Sequence, residues 1–277
     1  VTGIFFHPIM SDGDWPIIGN KFRGFPHALG GVLDLPTVTL ITPESVQEEF
    51  LLKVHTPAHL SRERGAWYYE GALRTVGGCV AAAGGIADGD LNNALVFSVA
   101  AGHHAGPDSA WGGTYLSCTG PAVVNLRERY GWQRFAIIDT DSHHGDGTRA
   151  VFEDDQDVLH CCFCDTNWES PDGTKVDCDV GWHTNDQKYL QRVQEEFVPR
   201  VEQFRPSVIF HNFGHDTCKG DYGDRGLSPD FFPVLAQLIK DVADRVCGGR
   251  YIVITHGGAR SDVARLIFPE IARILAS

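Results

Sequence analysis

Phe135-Ala-Ile-Ile-Asp139-Thr-Asp141-Ser-His143-His144-Gly-Asp146-Gly147 sets an apolar run directly against a cluster of ionisable groups. The isoleucine-rich start predicts a buried strand. The run then passes at once into acids, two histidines and two glycines, and a buried strand tolerates such charge only when it is paired or bound to metal. Residues two apart on a strand share a face and lie about 6.5 Å apart at Cα, so Asp141 and His143 are expected to converge on one cation. Asp139 has the same parity but stands about 13 Å from His143 by that spacing, which places it beside the metal, orienting a neighbour. The glycines at 145 and 147 predict a turn where backbone approaches closely or takes positive φ.

Outward from this run, strands are expected over 3–7, 37–41, 93–100, 207–213 and 251–255, with a further apolar strand ending near 163. Helices are expected over 43–50, 66–83, 121–130, 185–204, 228–246 and 261–275, the second with small residues on one face for close packing. His55-Thr-Pro-Ala-His59 breaks the first helix, and its histidines are expected in surface or capping roles. Strand alternating with helix predicts one α/β domain over residues 1–277, built on a mostly parallel sheet. Segments 102–106, 139–147, 214–216 and 256–258 each follow a strand, and open parallel sheets bind ligands at that edge. The four are therefore expected to meet in one pocket.

Composition bounds the function. A net charge of −13 argues against a nucleic-acid-binding surface and mildly favours cationic ligands. The eight cysteines show no zinc-finger pairing; Cys161, Cys162 and Cys164 are expected as reduced thiols in a buried strand, which suits a reducing compartment. No apolar run reaches the roughly 20 residues that span a bilayer, and no secretory signal is visible, so a cytoplasmic protein without a membrane partner is expected. The oligomeric state is not legible.

A catalytic ion held by Asp141 and His143 needs a third ligand. Asp216, just after a strand and near glycine, is the first candidate, with His215 and His211 as rivals. Two carboxylates and one imidazole leave positions open for water and substrate, and their softness admits Zn²⁺, Fe²⁺ or Mn²⁺. His103-His104, between glycines after a strand, supplies a general acid/base element, and Asp139 and Asp146 are the carboxylates left to fix the imidazoles. Such a set performs metal-assisted hydrolysis of an amide or similar bond.

From about Val54 onward these motifs resemble the histone deacetylase family, which includes bacterial acetylpolyamine amidohydrolases. Gly102-His103-His104-Ala105-Gly106 is similar to its paired-histidine motif, the 139–147 run to its signature, and Gly214-His-Asp216-Thr with Gly220-Asp221 to the segment carrying the last zinc ligand. The resemblance implies an arginase/deacetylase-like three-layer sandwich around an eight-stranded parallel sheet. It implies Zn²⁺ on Asp141, His143 and Asp216, His103 paired with Asp139, and His104 paired with Asp146 as general base and then acid. His144 is left with a structural role. It also implies K⁺ held by backbone oxygens around Asp139, Asp141 and His143, although Cys162 stands where the family usually has a serine.

Two departures bear on activity. The family's glycine-rich loop ends in an oxyanion-binding tyrosine, whereas Thr255-His256-Gly257-Gly258-Ala259-Arg260 offers alanine or arginine there, leaving Arg260, His256 and Tyr222 as candidate substitutes. Gly112-Gly113, beside Trp111, replaces a phenylalanine that walls the substrate tunnel, so a wider or reshaped pocket is expected. The expected function is a deacylase acting on an acyl-lysine peptide, an acylpolyamine or another small N-acylated amide. The alternative is a catalytically weak relative that binds acylated ligands. A manganese ureohydrolase of related fold would need a second cluster of bridging aspartates, which the sequence lacks.

Overall fold

The computed structural model describes residues 1–277, and one open sheet runs through them. Its strands are β1 (Thr2–Phe5), β2 (Val38–Ile41), β3 (Asn93–Val96), β4 (Phe135–Asp139), β5 (Val158–Cys164), β6 (Trp168–Glu169), β7 (Lys175–Asp179), β8 (Val208–Phe213) and β9 (Tyr251–Thr255). They lie in the order β2-β1-β3-β9-β8-β4-β5-β7-β6. Eight strands pair in parallel, as expected, and the two-residue β6 adds an antiparallel edge against β7.

Every residue of β3, β4, β5, β8 and β9 is buried, which explains their continuous apolar reading: strands covered on both faces show no alternation. The helix Tyr69–Ala87 packs on Thr119–Tyr130. In a second group, Phe231–Cys247 packs on both Asp186–Phe204 and Ser261–Ala276. The small residues of Tyr69–Ala87 serve close approach, since a Cβ added at Gly77 would stand 1.8 Å from the Glu44 carbonyl oxygen.

Local departures have identifiable causes. The helix expected over 43–50 starts only at Glu48: Gln47 before it is extended, and Val46 N–H donates to the Leu73 carbonyl at 3.1 Å. The break at 55–59 becomes a short helix, Pro57–Glu63, capped by the Thr56 hydroxyl, which accepts from His59 N–H. His55 and His59 are both buried, which overturns their expected surface or capping roles. Their rings stack at 4.8 Å; one bonds the Gly106 carbonyl and Ser117 N–H, the other the Tyr115 carbonyl. They brace the loop that follows β3. Strand β7 escapes sequence reading because its Lys175 and Asp177 are charged yet buried, the lysine ammonium donating to the Asp155 and Val158 carbonyls. All eight cysteines are buried and unpaired.

Candidate active site

β3, β9, β8 and β4 are neighbours in the sheet and point the same way, so the loops after them leave one edge side by side. Those loops are the four singled out in the sequence. Residues of 102–106, 139–147 and 256–258, including His103, His104, Asp141, His143 and His256, line a half-open pocket of about 170 Å³, to which the loop after β8 adds Tyr222.

The two expected histidine–carboxylate pairs are formed. His103 Nδ1–H donates to Asp139 Oδ2 at 3.0 Å, and His104 Nδ1–H donates to Asp146 Oδ1 at 2.6 Å. The rings lie 4.0 Å apart. Asp139, fully buried at the end of β4, also accepts from the Asn212 amide and from Asp141 N–H. Burial pushes its carboxyl up, but His103 outweighs this and holds it down at about 2. Burial likewise pulls the His103 imidazole down, and the charges of Asp139 and Asp141 reverse this to about 9. His104 goes the other way: burial and the neighbouring His103 charge lower it below its ordinary value despite the bond to Asp146. Adjacent groups pushed apart in this manner divide acid from base roles.

Strand β4 ends at Asp139, so Asp141 and His143 meet in a loop rather than along a strand. His143 Nδ1 stands 3.1 Å from Asp141 Oδ1 and 3.0 Å from Asp216 Oδ2. One ring N–H cannot point at both oxygens, and the buried Asp216 Oδ2 is left without a hydrogen bond. The three donor atoms lie within 4.8 Å of one another. Two carboxylate oxygens and an imidazole nitrogen converging on an unsatisfied point fit a divalent ion of borderline softness. The remaining oxygens are committed, Asp141 Oδ2 to Gly257 N–H at 2.7 Å and Asp216 Oδ1 to Ser142 N–H at 3.0 Å.

The rivals to Asp216 are engaged elsewhere. His211 bonds Thr140 and Tyr251 hydroxyls in the core, and His215 faces the Arg260 carbonyl. His144 pairs with Asp177 at 3.1 Å, where Arg149 also binds, and lies apart from the pocket lining.

Several supporting residues were missed by sequence reasoning. Lys21 is fully buried, and its ammonium donates to the His256 carbonyl under the glycine-rich loop. Burial lowers it to about 8 against the pull of Asp221, Asp141 and Asp216. Arg225, also fully buried, donates to the Ser142 hydroxyl at 2.8 Å and lies over Trp182. Single charged residues in an irregular segment give no periodic signal that could have found them. Trp111 reshapes the pocket wall: its ring lies 3.8 Å from His104 and its N–H donates to Asp146 Oδ2 at 2.7 Å. Gly112 must be glycine to follow it, with φ +60 and an added Cβ only 2.5 Å from the His104 ring.

Fold and pocket together define an open-sheet α/β protein with a candidate three-ligand metal site beside two histidine–carboxylate pairs. The chain belongs to the histone deacetylase domain family, whose model matches residues 65–274. A histone deacetylase-like amidohydrolase of Pseudomonas aeruginosa is 29% identical over 83% of this chain and 70% of its own. A probable deacetylase of Archaeoglobus fulgidus is 26% identical over 93% of this chain and 81% of its own. The crystal structure of the HDA15 HD domain superposes with a TM-score of 0.85 at 20% identity, covering 99% of this chain and 89% of that one, a likeness of fold. No helix is long and apolar enough to cross a membrane.

Proposed function

We propose that this protein is a zinc-dependent hydrolase that removes an acyl group from an N-acylated amine: an acyl-lysine peptide, an acylpolyamine or a small amide. The observation that carries this reading is the placement of His103–Asp139 and His104–Asp146 on one pocket with the Asp141–His143–Asp216 donor set. Relatives named as an amidohydrolase and a probable deacetylase support the amide class.

Asp141, His143 and Asp216 would hold Zn²⁺, and the same donors accept Fe²⁺. When bound, such an ion polarises a carbonyl and lowers the pKa of water. The chain's own residues do the rest. His104 presents Nε2 to the pocket while Asp146 fixes the proton on Nδ1, so it is set to accept a proton from attacking water and return it to the leaving amine. Before an ion binds, Asp139 and Asp141 raise the His103 imidazole, and its charge together with burial lowers the neighbouring His104. Trp111 and Tyr222 give the substrate stem aromatic surfaces. A K⁺ site would have to form without help from Cys162, whose thiol accepts Gly145 N–H at 3.3 Å.

Zinc-loaded protein is expected to cleave at least one member of a panel of N-acylated lysines, polyamines and small amides. Binding of zinc with no turnover of any amide or ester would overturn the reading. Tight binding of an acylated ligand without turnover would favour the alternative, a recognition module. A base must be unprotonated, and His104 is shifted downward, so kcat is expected to hold to below pH 6.5 before its acid limb falls. An acid limb centred above that value would contradict the assignment of His104.

A further inference from the structure

Acyl transfer builds negative charge on the carbonyl oxygen, and a fixed O–H or N–H donor aimed at it is worth about 10²–10³ in rate. The loop after β9 offers none from its side chains. Ala259 has no donor, and the Arg260 guanidinium is turned away to Asp262 and the Lys219 carbonyl. His256 Nδ1–H donates to the Ile254 carbonyl at 3.0 Å, which leaves its Nε2 as an acceptor.

We propose that Tyr222, carried by the loop after β8, supplies the donor that stabilises the oxyanion. The proposal rests on the hydrolase reading above. The Tyr222 ring stacks on His143 at 5.8 Å and lines the same pocket as His104 and Trp111. Its hydroxyl oxygen accepts Gly258 N–H at 2.9 Å, so one lone pair is held by backbone and the O–H proton is directed elsewhere. A Cβ added at Gly257 would lie 2.8 Å from Tyr222 Oη, 2.4 Å from Asp141 Oδ2 and 2.9 Å from Asp216 Cγ. The phenol therefore shares one small space with the candidate metal donors, where the carbonyl oxygen of a substrate within reach of His104 must lie.

The hydroxyl is held in place rather than merely nearby. Asp221 accepts from Tyr222 N–H at 2.8 Å and from Ala259 and Arg260 N–H at 3.0 and 3.1 Å, tying the loop after β8 to the loop after β9. The glycines let the two loops close on each other: Gly258 has φ +105, and any side chain at Gly257 would collide with Tyr222 Oη and the Asp141 carboxylate. The phenol makes a hydrogen bond in the transition state and keeps its proton throughout.

The test compares Tyr222→Phe with the wild type in zinc content, in kcat and KM on a cleaved amide, and in affinity for two inhibitors. One is a trifluoromethyl ketone, whose tetrahedral hydrate needs the donor; the other is an alkyl thiol, which does not. The expected result is a kcat lower by about 10²–10³ with KM within about threefold, unchanged zinc and thiol affinity, and ketone affinity lower by at least about tenfold. A kcat within about threefold of wild type, or equal loss of both inhibitors, would overturn the proposal, the latter by making the hydroxyl a loop brace only. Ala259→Tyr is expected to leave kcat within about threefold, because a donor is already present; a gain of about tenfold or more would mean that it was not. Failure of the hydrolase reading looks different: wild type would bind zinc and cleave nothing, and the ketone–thiol comparison would still report on Tyr222.

Discussion

His104→Ala is expected to lower kcat by about 10²–10⁴ while leaving bound zinc at the wild-type level. His104 is not among the three converging donors, so its loss should not release the ion. What disappears is the neutral imidazole whose Nδ1 proton is fixed by Asp146 and whose free nitrogen faces the pocket. His103 is not set to replace it: its Nδ1 is bound to the fully buried Asp139, and its Nε2 stands 3.6 Å from Asp141, one of the three converging donors. KM should move little, since the ring contributes few substrate contacts beyond the wall it shares with Trp111. Steady-state kinetics with metal analysis of the same preparation reads both halves. A fall of less than about tenfold would move the base to His103.

The proposed division of labour between His103 and His104 was legible as a pair of motifs, but its physical basis was not. The sequence places two histidines between glycines after a strand and leaves two carboxylates over. Which imidazole stays neutral depends on burial and on Asp141 standing 3.6 Å from His103 Nε2, and no spacing rule reports that. The convergence of Asp141 with His143 was anticipated from strand periodicity, yet β4 ends before either residue and a loop brings them together. The residues alone put Asp216 ahead of His215 and His211 without separating them fully, because all three lie at the end of β8; the directions of their side chains differ. The parallel core strands were readable because each is mostly apolar and buried along its whole length, with few polar residues such as His160 and His211 set among apolar ones. Lys21, Arg225, Asn212 and the buried His55–His59 stack were not. Their burial follows from tertiary partners more than 30 residues away, and their types are ordinary on a surface.

Stripping the metal is expected to lower the melting temperature by about 10 °C, and Asp216→Asn to recover part of that loss while abolishing activity. An ion present at about a thousand times its dissociation constant stabilises the fold by about 4 kcal/mol. In a chain of this size each kcal/mol moves the midpoint by about 2–4 °C. Without the ion, Asp141 and Asp216 are buried against one imidazole, which the two nearby carboxylates raise to about 10. Lys21 and His103 add positive charge nearby, yet burial first, and then the Asp141 charge, raise the Asp216 carboxyl to about 7. A carboxyl raised on folding costs nothing while it is protonated in both states. It becomes a penalty as pH climbs from its unfolded value near 4 through 7. Asparagine keeps the shape and removes that charge, so metal-free Asp216→Asn should melt a few degrees above metal-free wild type at pH 8, and the gap should close towards pH 5. The same substitution removes one of three donors, so zinc titration should no longer raise its melting temperature and turnover should vanish. Thermal melts of both proteins, with and without chelator at the two pH values, carry the test. An unchanged melting temperature on adding zinc to the wild type would remove Asp216, and the donor set with it, from the proposed chemistry.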